Sequence, residues 1–301
     1  MSLLQPIPET LPLGPSGRMI GPIAWGMWRL AGSRASAAIL VRTALDAGIN
    51  FLDTADIYGF DGSKGFGDAE GLLGEVLGSE PGLRERAVIA TKGGIRPPLP
   101  YDQSDAYLRS AIDESLRRLR IERIDLYQIH RPDILAHPQE VARALEDAVK
   151  LGKIVSLGVS NFTTGQIDTL RHFLTVPLAS TQPEISPLRI DCLENGEIDQ
   201  ALRLSLRPLA WSPLGGGRLL NPGNDRERAV AAALDVVANV EGVSRSVAAY
   251  SWLMSHPAGI VPIIGSQRPE RITEAVAAVQ IRWTRQQWYS VFAAARGEKL
   301  P

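Results

Sequence analysis

Eight short apolar runs, each followed by a stretch of helical periodicity, recur from end to end of this chain, and that alternation restricts its fold more than any other feature. The runs cover residues 20–26, the stretch ending in Phe51-Leu52, and residues 87–92, 124–130, 154–160, 179–185, 207–211 and 260–264. Nearly all are apolar throughout, the pattern of strands buried on both faces in a parallel sheet wrapped by helices. Between them the apolar positions repeat at helical spacing. Ile39, Leu40, Thr43 and Ala44 precede Gly48; Leu72, Leu73, Val76 and Leu77 form a second set; Leu108, Ile112, Leu116 and Leu119 form a third. Further helical stretches lie from Pro138 to Gly152, at 163–172, 197–206, twice between 227 and 255, from Pro269, and at 284–296. Eight such units predict a closed (β/α)8 TIM barrel ringed by helices. An open doubly wound sheet is the competitor, but no Gly-x-Gly-x-x-Gly turn follows the first run. No linker interrupts the pattern, so residues 1–301 are expected to form a single domain. Pro6, Pro8, Pro12 and Pro15 predict an extended arm over 1–17.

At 45% hydrophobic and 22% charged, the chain has the composition to fill the core of one large barrel. A net charge of −1 gives no general attraction to nucleic acid or to an anionic membrane, so any anionic ligand needs a local cluster. Cys192 is the single cysteine, which rules out an intrachain disulfide and a thiolate metal cluster. His130, His137, His172 and His256 are scattered without a His-x-x-x-His pair, so no metal site is expected. The N-terminus lacks a basic segment followed by an apolar core, and no apolar run spans a bilayer. A soluble, cytoplasmic protein is expected.

In a barrel of this kind the active site lies at the C-terminal ends of the strands. Asp53 and Tyr58 follow the second strand, Lys92 ends the third and His130 ends the fourth, so all four face one mouth. Singly each has an ordinary explanation: a turn former, a core aromatic, a solvated strand end, a rim histidine. Together they suit one task. A phenol has a pKa of about 10, too high for acid–base work at neutral pH. An ammonium such as Lys92 favours the phenolate, and a carboxylate such as Asp53 holds that ammonium in place. His130 is placed to orient a carbonyl oxygen beside the phenol.

Along nearly its whole length the chain resembles the aldo-keto reductase superfamily. The stretch Asp53-Thr-Ala-Asp-Ile-Tyr58-Gly, the Lys92 strand end and Ile124-Asp-Leu-Tyr-Gln-Ile-His130 are similar to its motifs, in order. Gly67-Asp-Ala-Glu-Gly-Leu-Leu-Gly74 resembles the helix after the tyrosine. The resemblance implies Tyr58 as general acid, Lys92 as its pKa-lowering neighbour, Asp53 as the partner of Lys92, and His130 as the carbonyl-orienting residue. It also implies a hydride from a reduced nicotinamide, delivered to a small-molecule aldehyde or ketone.

The cofactor residues follow from the same resemblance. Gly158-Val-Ser-Asn-Phe162 is similar to the family's segment after strand five, whose Ser160 and Asn161, with Gln182, would bond the carboxamide. Trp211 stands at the aromatic position that stacks on the nicotinamide. Ser212-Pro-Leu-Gly-Gly-Gly-Arg-Leu resembles the pyrophosphate loop, with Ser212, Leu214, Gly216 and Arg218 as contacts. Gly265-Ser266-Gln-Arg268-Pro-Glu-Arg271-Ile resembles the adenine-side motif, and Gly265, Ser266, Arg268 and Arg271 suit a 2′-phosphate. NADP(H) is therefore expected over NAD(H), although Gly265 replaces a lysine and Ala275 an asparagine found in some branches. The glycine-rich insertion 60–67 separates Tyr58 from its helix. Trp28, Phe60, Phe66, Tyr101 and Arg131 are candidates for substrate contact on the mouth loops. Two rival readings share the fold: a nicotinamide-sensing regulatory protein resembling channel β subunits, and a lyase or isomerase without redox chemistry. The second leaves Ser160, Asn161, Gln182 and Trp211 unexplained.

Overall fold

A computed structural model describes residues 2–298 and 300. Eight parallel strands close into a barrel: Ala24–Gly26, Phe51–Asp53, Val88–Gly93, Ile124–Ile129, Ile154–Ser160, Leu178–Gln182, Arg207–Ala210 and Val261–Ile264. They follow sequence order around the barrel, and the eighth pairs with both the seventh and the first. Helices pack outside, and one large apolar cluster fills the layer between them and the strands. This is the (β/α)8 TIM barrel that the alternation predicts.

Helix starts lie where capping chemistry allows them. Ser33, Ser104, Thr163 and Thr284 each accept a backbone N–H of the helix that follows, which satisfies a donor with no intrahelical partner. The expected starts at Ser104 and Thr163 are thus caps, one residue before the helices Asp105–Leu119 and Thr164–Phe173. A short helix, Pro81–Arg86, was not foreseen, being too brief to show a period.

The run at 20–26 is not one strand. Met19–Ile20 pairs antiparallel with Leu11–Pro12, and the chain then turns at Gly21-Pro22 into the barrel strand Ala24–Gly26. The region expected as an extended arm therefore contains half of a hairpin and a 3-10 turn over Gly14–Ser16. Leu11, Leu13 and Ile20 pack with Ala24, Phe51, Val88, Leu126 and Val261, closing the N-terminal end of the barrel. Phe51 is wholly buried there, worth about 1.5–3 kcal/mol relative to exposure. Likewise the sixth strand ends at Gln182, short of the expected residue 185, because Pro183 interrupts the ladder; pairing resumes only as a bridge between Glu184 and Trp211.

Candidate active site

Strand periodicity sets the position of the polar side chains. Successive residues point to opposite faces, so Phe51 and Asp53 share the barrel interior, as do Val88, Ala90 and Lys92, and Leu126 and Gln128. The first members of each set belong to the apolar plug. The last members are polar and form one layer at the C-terminal end. Along these three strands the interior thus changes from hydrocarbon to polar groups within two residues.

Lys92 is the centre of that layer and is fully buried. Its Nζ donates to Asp53 Oδ2 at 2.6 Å, to the Thr54 carbonyl at 2.9 Å and to Tyr58 Oη at 3.2 Å. An ammonium has three N–H bonds, and each has an acceptor here. Asp53 Oδ1 in turn accepts Gln182 Nε2 at 2.9 Å. Tyr58 meets the edge of Trp28 at 5.3 Å and His130 at 5.8 Å between ring centroids. The four residues expected to act together are brought together.

Their ionisation follows from this packing. Burial raises the Tyr58 phenol above its usual value; Lys92 opposes the rise without cancelling it, and Asp53 adds to it. The expected net lowering of the phenol is therefore not what the folded protein alone provides. For Lys92, burial acts downward, but Asp53 and Tyr58 outweigh it, so the ammonium stays charged. Burial, helped by Lys92 and Arg131, holds His130 well below its ordinary value, as a neutral imidazole.

A cleft of about 590 Å³ runs from this layer across the barrel mouth. Ser160, Asn161, Gln182 and Trp211 line its middle. Asn161 has a left-handed backbone (φ 60°), an uncommon conformation that asparagine tolerates, and its side chain is tied on both sides. Its Nδ2 donates to the His130 carbonyl and Ser160 Oγ, while its Oδ1 accepts Trp211 Nε1 at 2.9 Å. Ser212, Leu214 and Gly216 continue the lining. Gly216 has φ 69° and a Cβ there would meet nothing within 4 Å, so the backbone lies open to a ligand. The far end is lined by Gly265, Ser266, Arg268 and Arg271. Arg268 pairs with Glu270 at 2.8 Å, whereas Arg271 has no salt bridge among the described residues.

Some expected contacts lie elsewhere. Arg218 turns from the cleft: its guanidinium donates to the Gly215 carbonyl and pairs with Glu227 at 3.2 Å. Tyr101 is not part of the lining, and neither are Phe60 and Phe66, which pack edge to face on each other. Trp28 and Arg131 do line it. Arg29, Ser246, Tyr250 and Glu274 line it without having been expected. Glu274 was within reach of a sequence reading, three residues after Arg271 on one helical face. Ser246 and Tyr250 lie on the helix Arg245–Met254, away from any strand end, and carry only a packing pattern. Among the described residues no cluster of histidine, cysteine and acidic side chains could hold a metal, and no helix is long and apolar enough to cross a membrane.

A model of the aldo/keto reductase family matches residues 22–295. The chain belongs to the aldo/keto reductase family. It is an oxidoreductase, from a family that generally works with nicotinamide cofactors. It is 68% identical to a 6-dehydroglucose reductase of Novosphingobium aromaticivorans, over all of both chains. It is 34% identical to a 6-dehydroglucose reductase of Agrobacterium fabrum, over 92% of this chain and 95% of the other. Among solved structures, a thermostable aldo-keto reductase bound to the inhibitor epalrestat has the same fold, with a TM-score of 0.81 at 22% identity over 98% of this chain and all of the other.

Proposed function

We propose that this aldo/keto reductase uses NADP(H) to reduce an aldehyde, that Tyr58 is the proton donor, and that the aldehyde is 6-dehydroglucose. The contact of Lys92 Nζ with both Asp53 and Tyr58 Oη, at the floor of an open cleft, is the observation that carries the chemistry. The 68% identity to a 6-dehydroglucose reductase supports the substrate. A cytoplasmic location, where reduced nicotinamide is at hand, fits this role.

When bound, the reduced nicotinamide supplies the hydride that the aldehyde carbon gains. The protein manages the proton. Burial keeps the Tyr58 phenol protonated and ready to give its proton to the carbonyl oxygen as charge gathers there. Lys92 already donates to Oη, so the phenolate that remains is stabilised without rearrangement. His130, neutral and beside Tyr58, holds the carbonyl oxygen against the phenol. Carbon gains hydride and oxygen gains a proton, so the aldehyde becomes the primary alcohol of glucose.

The residues present fit the cofactor. Ser160, Asn161 and Gln182 offer amide and hydroxyl groups for the carboxamide, Trp211 offers a ring, and the open backbone at Gly216 admits a pyrophosphate. Ser266 and Arg271, which has no salt bridge among the described residues, suit a 2′-phosphate.

Titrating the protein with NADPH and NADH by tryptophan fluorescence, then following nicotinamide oxidation with 6-dehydroglucose and other aldehydes, tests the reading. Tighter NADPH binding and turnover of 6-dehydroglucose are expected. Absence of nucleotide binding sinks it, and binding without any turnover favours a nicotinamide-sensing protein.

A further inference from the structure

The loop after the fourth strand brings a second polar group to the cleft besides His130. Arg131 is half-buried, follows His130 in the chain and lines the same cleft as Tyr58 and His130. Its backbone is pinned: the Arg131 carbonyl accepts Gln103 Nε2 at 2.6 Å, and Gln103 is itself buried. Its guanidinium, by contrast, has no salt bridge and no hydrogen bond among the described residues. The acids of the cleft do not serve it. Asp53 is bonded to Lys92 and Gln182, and Glu274 lies on the helix Pro269–Ala275, with Arg271. From the first-strand loop Arg29 lines the cleft as well, so the substrate end has an excess of positive charge.

A guanidinium carries five N–H donors and no acceptor. Held half out of water and facing no carboxylate, it favours a ligand that supplies oxygen atoms and disfavours an amine. We propose that Arg131 is the residue that selects an oxygen-rich aldehyde, its planar fork taking sugar oxygens while the carbonyl rests against Tyr58 and His130. The proposal rests on the reductase reading above and names what that site discriminates. A site built to bond hydroxyls rejects an analogue lacking them, because its donors are then left unpaired.

The test is steady-state reduction of 6-dehydroglucose and of hexanal by the wild type, Arg131→Met and Arg131→Lys at saturating NADPH. The ratio of kcat/KM for the sugar aldehyde over hexanal is expected to fall by about tenfold or more in Arg131→Met, mainly through KM for the sugar. Arg131→Lys should recover part of the ratio, since it restores a cation without the fork. Equal losses on both aldehydes make Arg131 merely structural and overturn the proposal. So does an unchanged ratio, including one accompanied by a shifted pH profile, which would place its action on His130. NADPH affinity of each variant reports folding, and Arg131→Lys carries the test where Arg131→Met binds no nucleotide. A wild type that turns over hexanal but not the sugar overturns the proposal while leaving the reductase chemistry standing. A wild type that turns over neither aldehyde overturns the reductase reading first.

Discussion

Where the cleft meets strands two to four, Lys92 is fully buried and all three of its N–H bonds have acceptors, whereas at the far end Arg268 is 64% exposed and Arg271 has no ion-pair partner among the described residues. At one end the Lys92 and Asp53 charges are paired within the protein, and only Arg131 and Arg29 at the rim stand apart from that pairing. The other leaves Arg271 open to a ligand, while Arg268 is engaged only by the exposed Glu270. Groups fixed before a ligand arrives need no reorganisation when charge develops in a transition state, which suits a reacting centre. Open cations are satisfied on binding and suit an anion that is held rather than transformed. The two ends should therefore respond differently to mutation: one in rate, the other in affinity.

The largest expected effect is at the paired end. Tyr58→Phe removes the proposed proton and leaves one N–H of the buried Lys92 ammonium without its acceptor, a change confined to this end of the cleft. Turnover of 6-dehydroglucose is expected to fall by about 10²–10⁴-fold, the usual worth of a positioned acid, with NADPH affinity changed by less than about twofold. A variant that keeps most of its rate rules Tyr58 out as the donor; one that loses nucleotide affinity instead breaks the division between the two ends. The pH profile adds a sign. The buried phenol lies above its usual value, so the donor stays protonated through neutral pH. Wild-type reduction should be flat there and decline only as pH rises past that raised value. A decline beginning below pH ~9, more than a unit under an ordinary phenol, would contradict the assignment.

At the open end the change is smaller and of another kind. Arg271→Ala should weaken NADPH by about tenfold or more, the order of one lost charge-assisted contact, and weaken NADH much less. Maximal turnover at saturating NADPH should stay near that of the wild type. Equal loss for both nucleotides would mean that Arg271 does not meet the 2′-phosphate, and the preference for NADP(H) would fall with it.

The same contrast explains what could be read from residues alone. Asp53, Lys92 and His130 were legible because each closes an apolar strand pattern, a local signal repeated on neighbouring strands, and Tyr58 because it follows Asp53 by five residues in the loop beyond its strand. The barrel was legible because burial on both faces leaves continuous apolar runs. Ile20 misled for a related reason: it is apolar because it plugs the barrel floor, and hydrophobicity does not say which neighbour buries a residue. Arg218 misled through a partner nine residues away, since Glu227 engages its guanidinium and only the folded chain reveals that pairing. Tyr250 reaches the cleft from a helix whose apolar pattern marks only packing. Sequence thus marks the end built from strand termini more clearly than the end completed by loops and helices.

The paired end also contains a group that its pairing leaves out, and this gives the smallest predicted effect. Asp56 lies two residues before Tyr58 and is fully buried, and neither of its carboxylate oxygens has a hydrogen-bond partner among the described residues. Burial, then the nearby Glu70, raises its pKa well above the ordinary value, with Arg118 and Lys92 opposing. In the unfolded chain the group ionises near pH ~3.9, while in the folded protein it keeps its proton to higher pH. As pH rises above that unfolded value, the unfolded state loses a proton that the folded state retains, so stability falls. The amide of Asp56→Asn cannot ionise in either state and escapes this loss. Its melting temperature at neutral pH is expected to exceed that of the wild type. The advantage should shrink as pH falls towards ~4, where both states of the wild type hold the proton. Arg271→Ala, at the open end, should show no such pH-dependent gain. Thermal melts of both variants at several pH values would read the difference, and an Asp56→Asn protein no more stable than the wild type at neutral pH would mean that Asp56 is not kept protonated by the fold.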